Sequence, residues 1–166
     1  ERLLSSLDRL QFKLPNYFTA GWLEKNILAV VQKNGHAHRG RIRVTVTRGE
    51  GGIYDQQNHF PYVLIQSWSL QEATQEFNEN GLVIDIYKEA RKVCDHFSSL
   101  KTNNYLPYVM GALWAKQHHL NDAILLNPYD RVADATIANV FIVKDGVIKT
   151  PALTEGPVNG VMRRHL

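Results

Sequence analysis

Residues 98–146 read SSLKTNNYLPYVMGALWAKQHHLNDAILLNPYDRVADATIANVFIVKDG, and the reading of the fold turns on this stretch. Asn104 is a good N-cap residue, and Pro107 falls within a first helical turn, where its missing N–H is harmless. Leu106, Val109, Met110, Leu113 and Trp114 then recur at helical spacing and predict an apolar face. Gly111, Ala112 and Ala115 keep part of that helix thin enough for close packing, and its end is predicted near His118–His119. Ala123–Leu126 predicts a short buried strand, and Asn127-Pro128-Tyr129-Asp130 a turn. Val140–Val143 and Val147–Lys149, joined through Asp145-Gly146, predict a hairpin. Two ionisable residues hold chemically suggestive places. Lys101 stands just before the helix, and Asp134 stands in a polar gap between two apolar strand-like runs.

Upstream, residues 1–11 read as the end of a helix with Leu3, Leu4, Leu7 and Leu10 on one face, broken by Leu14-Pro15-Asn16. Thr19 caps a second helix whose stripe is Leu23, Ile27, Val30 and Val31, and Gly35 closes it. Residues 40–47 alternate strictly: Ile42, Val44 and Val46 point one way, and Arg41, Arg43, Thr45 and Thr47 the other. A glycine-containing loop over 48–52 and a strand over 62–66 follow. Residues 69–81 are polar without a sustained apolar period. The expected organisation is an N-terminal α+β domain over 1–68, a linker over 69–81 and a second domain over 82–166.

The chain has 166 residues with 19 Lys plus Arg against 16 Asp plus Glu, so its net charge is only +3. The basic residues are scattered, which suits a site for anionic small molecules and argues against nucleic acid as a partner. Cys94 is the only cysteine, so no intrachain disulfide can form and a reducing, cytoplasmic compartment is expected. No apolar run is long enough to span a membrane. His36 and His38 lack a nearby carboxylate or cysteine, so no metal site is expected.

Four separated stretches, LKTNNYL, DAILLN, RVADATIANVFIVKDGVIKTP and GPVNGVMRRHL, occur in the order and spacing of a known family. In them the chain resembles the class IV aminotransferases, the fold-type IV pyridoxal-phosphate enzymes. The family includes branched-chain and D-amino-acid aminotransferases and aminodeoxychorismate lyase. The resemblance covers essentially the whole chain. It implies an α+β, two-domain fold, with a small mixed N-terminal unit and a sheet-rich, pseudo-barrel C-terminal unit. It also implies that these 166 residues are an excerpt of a longer chain, and that the protein is a homodimer.

The resemblance carries residue roles with it. Lys101 matches the lysine that bears pyridoxal 5'-phosphate and acts as the base at Cα. Asp134 matches the acid that keeps the pyridine nitrogen protonated, where the family usually has glutamate. Arg2 matches the phosphate-binding arginine, and Val161 and Met162, just after Gly160, match the backbone phosphate contact at a helix start. Tyr105 is in reach of the cofactor's 3-oxygen if its ring turns inward, and Arg43 matches a substrate-carboxylate arginine of the branched-chain enzymes.

The implied activity is transamination between an amino acid and a 2-keto acid. The alternative is 4-amino-4-deoxychorismate lyase, releasing pyruvate and 4-aminobenzoate. TRGEGGIY and VNGVMR lean toward the lyase, and Arg43 toward the transaminase. A third reading, a non-catalytic relative acting as a binding module, draws only on aspartate standing at the usual glutamate position.

Overall fold

The computed structural model describes residues 1–70 and 78–166. The chain divides into two compact units, Glu1–Phe77 and Asn78–Leu166. Most of the expected linker, residues 71–77, lies outside the described residues.

The first unit holds α1 (Arg2–Arg9), α2 (Ala20–Lys33), β1 (Gly40–Arg48) and β2 (Pro61–Ser69). Thr19 caps α2, its Oγ1 accepting from Trp22 N at 3.2 Å, and Gly35 at φ 72 turns the chain out of the helix. β1 and β2 pair antiparallel from Gly40 opposite Ser69 to Arg48 opposite Pro61. Val44, Val46 and Val63 pack with Leu7, Phe18 and Leu23 into one core. The strand period of two sends Arg41, Arg43, Thr45 and Thr47 to the opposite face. Ile42, expected beside Val44, stays 43% exposed.

The second unit holds β3 (Ile84–Tyr87), α3 (Leu106–Gln117), β4 (Asp122–Leu126), β5 (Val132–Ala135), the hairpin β6 (Ile142–Lys144) with β7 (Val147–Lys149), and α4 (Val161–His165). β3 and β4 are parallel, which requires a long crossover, and α3 lies within it. β5 returns antiparallel to β4, so the sheet order is β3-β4-β5. Tyr87, Ala115, Ala123 and Leu125 form its core. Asn127, fully buried, closes the turn after β4 by accepting from Tyr129 N and Arg131 N. Asp145 and Gly146, at φ 53 and 74, give the left-handed pair that a two-residue hairpin needs. Among the described residues the strands of this unit do not close into a barrel.

Two local expectations are corrected in α3. The N-cap position is Tyr105, not Asn104, and no side chain caps the helix. The face predicted to be buried is largely the exposed one: Leu106, Met110 and Leu113 are 67%, 42% and 49% exposed. Gly111 and Ala115 face the sheet instead, with Tyr108 and Trp114 partly buried beside them. A Cβ on Gly111 would lie 3.1 Å from Leu125 Cδ2 and 3.2 Å from Thr136 Cγ2. The sheet therefore approaches the thin side of the helix, where backbone can come close.

Candidate active site

Asp134 sits inside β5 rather than in a gap between strands, and it is 2% exposed. Its partner across the ladder is Leu125, which is wholly buried. β5 is VADA, whose alanines and aspartate have low strand propensity, so pairing with β4 makes the strand. The carboxylate accepts three hydrogen bonds. Val158 N and Tyr108 Oη reach Oδ2 at 2.7 and 2.9 Å, and Asn139 Nδ2 reaches Oδ1 at 2.9 Å. Burial pushes the carboxyl above the ordinary aspartate value, and these three donors and the Lys92 charge pull it back. Burial and the Asp134 charge push the Tyr108 phenol far upward, so it stays a donor.

Asn139 joins three places. Its Nδ2 also donates to Val158 O at 2.8 Å, which ties the Asp134 strand to the turn before α4. Gly160, the N-cap of α4, packs so closely on Asn139 that a Cβ there would collide with the amide oxygen. Gly160 supplies no capping side chain, so the first N–H groups of α4 have no side-chain cap. Val161 and Met162, which carry two of them, are 46% and 66% exposed.

The segment leading to Lys101 is pinned from two sides. Ser99 O accepts from Asn159 N at 2.8 Å, in the same turn before α4. Ser98 O accepts from Lys92 Nζ at 3.1 Å. Leu100 is 8% exposed, whereas the Lys101 side chain lies in the open. The structure thus brings the Ser98–Ser99 peptides before Lys101, Asp134 and the Val158–Gly160 turn before α4 into one hydrogen-bonded cluster of the second unit. Tyr105 is 41% exposed at the head of α3; the tyrosine that touches Asp134 is Tyr108. Arg2 and Arg43 belong to the first unit. Arg2 is the first residue of α1, half-buried, and Arg43 is exposed in mid-β1 opposite Gln66.

Tyr108, Asn139 and Lys92 are the polar residues of this cluster that the sequence reading missed. For Tyr108 a signal was present: it shares spacing i, i+3, i+7 with Gly111 and Ala115, the face that packs. Nothing in sequence alone marks Lys92 or Asn139, because their partners are Ser98 O, Asp134 and Val158 O.

A family model described as amino-transferase class IV matches residues 1–166. The chain belongs to the class IV aminotransferase family. It is 28% identical to aminodeoxychorismate lyase of Vibrio harveyi over 100% of this chain and 60% of that protein. It is 27% identical to a putative branched-chain-amino-acid aminotransferase of Methanocaldococcus jannaschii over 74% of this chain and 42% of the relative. It superposes on a crystal structure of the branched-chain aminotransferase from Thermoproteus uzoniensis with norvaline at TM-score 0.80 and 26% identity. That match covers 99% of this chain and 55% of the other. The matches therefore span about two fifths to three fifths of the length of these proteins. No helix among the described residues is long and apolar enough to cross a membrane.

Proposed function

We propose that the protein containing this chain is a pyridoxal-phosphate-dependent aminotransferase acting on an amino acid and a 2-keto acid. The observation that carries the reading is Asp134. It is a buried carboxylate with three donors, hydrogen-bonded through Asn139 and Val158 to the turn that opens α4. The residues fit the cofactor in two respects. Asp134 Oδ1 has one donor, leaving a lone pair for a ring N–H. The side-chain-free start of α4 offers backbone donors to a phosphate. When bound, pyridoxal phosphate supplies a sink for the electron pair left at Cα of the substrate.

In this reading the Lys101 amine would hold the cofactor and would serve as the base for the substrate Cα proton. Asp134 holds a proton on the ring nitrogen. The N–H groups of Val161 and Met162 would bind phosphate, a role the resemblance also gives the Arg2 guanidinium; Tyr105 would orient the ring 3-oxygen, and Arg43 would take the substrate carboxylate. The homodimer and the cytoplasmic setting belong to the same reading, on the resemblance and on the single cysteine.

Borohydride reduction of the cofactor-loaded full-length protein, followed by peptide mapping, tests the assignment. The pyridoxyl label is expected on Lys101. A label on the buried Lys92, or on neither, would reject it.

Aminodeoxychorismate lyase is the second reading, favoured by full coverage of this chain in the Vibrio harveyi match. Mixing the full-length enzyme with glutamate or a branched-chain amino acid, without a keto acid, separates the two. Conversion of the cofactor absorbance to the pyridoxamine form is expected. An unchanged spectrum, together with pyruvate and 4-aminobenzoate from aminodeoxychorismate, replaces transamination with lyase chemistry.

A further inference from the structure

Among the described residues Lys92 is one of the few charged side chains withdrawn from solvent, at 8% exposure, and it has no role in the proposed chemistry. Its backbone N–H is fixed to Leu126 O at the end of β4, at 2.8 Å. Its Nζ donates to Ser98 O at 3.1 Å and lies 3.5 Å from Val93 O. It also stands 5.8 Å from the centre of the Tyr108 ring, whose hydroxyl donates to Asp134. An ammonium held by carbonyl oxygens and an aromatic face, with a buried carboxylate beyond that ring, is a compensated buried charge.

We propose that Lys92 is the buried countercation of Asp134, a positioning residue that keeps this carboxylate charged while fixing the Ser98–Lys101 peptide. The proposal rests on the functional reading above only for its catalytic consequence.

The electrostatics agree with the geometry. Burial draws Lys92 below the ordinary lysine value, and the charges of Asp134 and Asp95 push it back up. Burial draws Asp134 upward, and Lys92 adds to Val158 N, Tyr108 and Asn139 in opposing that. Each charge thus opposes the shift that desolvation imposes on the other. Asp95 is exposed and already bonded to Ser98 Oγ and Phe97 N. Asp134 is therefore the buried one of these two carboxylates.

The test uses cofactor-free full-length protein with carboxyl-labelled aspartate, read by carbon NMR across pH. The Asp134 signal is identified by its loss in Asp134→Asn. Lys92→Met should raise the Asp134 midpoint by about one pH unit, a tenfold change in its acid constant, and Lys92→Arg should restore it. Reciprocally, Asp134→Asn should lower the Lys92 titration by a similar amount, read on labelled lysine. That arm decides alone if Lys92→Met does not fold. If neither group moves when the other is neutralised, the proposal is overturned. With cofactor bound, Lys92→Met should also shift the acid limb of kcat upward, and Lys92→Arg should not. Borohydride labelling keeps the two readings apart. Label on Lys101 with no coupling removes only the role of Lys92. Coupling without that label removes the cofactor reading and leaves the charge coupling of Lys92 and Asp134.

Discussion

Asp134 is the residue on which chemistry and burial conflict. Its carboxyl is raised above the ordinary aspartate value by desolvation, so it takes up a proton at milder acidity than an exposed aspartate. The neutral acid cannot keep a ring nitrogen charged. The activity of the full-length enzyme should therefore fall on the acid side at a pH above the ordinary aspartate range. Asp134→Asn should remove most of kcat with a smaller effect on cofactor affinity, because the charge acts mainly on the transition state. Near-wild-type turnover in that variant rejects the role, and steady-state kinetics across pH provides both readouts. Tyr108→Phe removes one of the two donors to Oδ2 while keeping the ring. It should destabilise the protein by about 1.5–3 kcal/mol, as for hydrogen bonds to charged groups, and raise the Asp134 midpoint further. Urea unfolding measures the first effect and carboxyl NMR the second.

At the scale of elements, α3 shows why helical period alone did not select the buried face. The helix is apolar almost all round, so Leu106, Val109, Met110 and Leu113 formed as good a stripe as Tyr108, Gly111 and Ala115. What decided was how near the sheet comes. Gly111→Val puts branched carbon against Leu125, which has no exposed surface to move into. A loss of about 2–3 kcal/mol is expected from overpacking, and a lowered urea midpoint measures it. The turn leading to Lys101 carries the opposite pH sign from Asp134. Asp95 accepts from Ser98 Oγ at 2.8 Å and Phe97 N at 2.9 Å, which hold its carboxyl below the ordinary value. A depressed acid contributes stability above its unfolded value and loses it as pH falls through the folded one. Amide exchange in 95–101 should therefore quicken only below the ordinary aspartate range, and in Asp95→Asn that step should disappear. A step in neutral solution would contradict this account.

At the scale of the whole molecule, each unit builds a core from its own residues. Leu7, Phe18 and Leu23 serve the first, and Tyr87, Ala115, Ala123 and Leu125 the second. Leu7→Ala should cost about 2–4 kcal/mol, as for a buried leucine, and should raise amide exchange first within residues 1–70. Leu125→Ala should do the same within 78–166. Hydrogen exchange with mass spectrometry checks both, and equal loosening everywhere would show that the two cores melt as one. The chain covers 60% of the Vibrio harveyi lyase and 55% of the Thermoproteus uzoniensis aminotransferase. Assays of turnover accordingly belong to the full-length protein.

Sequence by itself determined what depends on neighbours along the chain. Thr19 and Gly35 bound α2, alternation reveals β1, Asp145-Gly146 makes the hairpin, and four ordered motifs reveal the family. The order of Lys101, Asp134 and Gly160 was legible for the same reason. Tertiary structure decided what depends on contacts between distant residues. β5 exists as a strand because β4 pairs with it, α3 turns its thin side inward because the sheet is close, and Asp134 gathers donors from residues 108, 139 and 158. A lysine at 92 reads as solvated until the fold brings Ser98 and the Tyr108 ring around its ammonium, and burial then makes its charge matter.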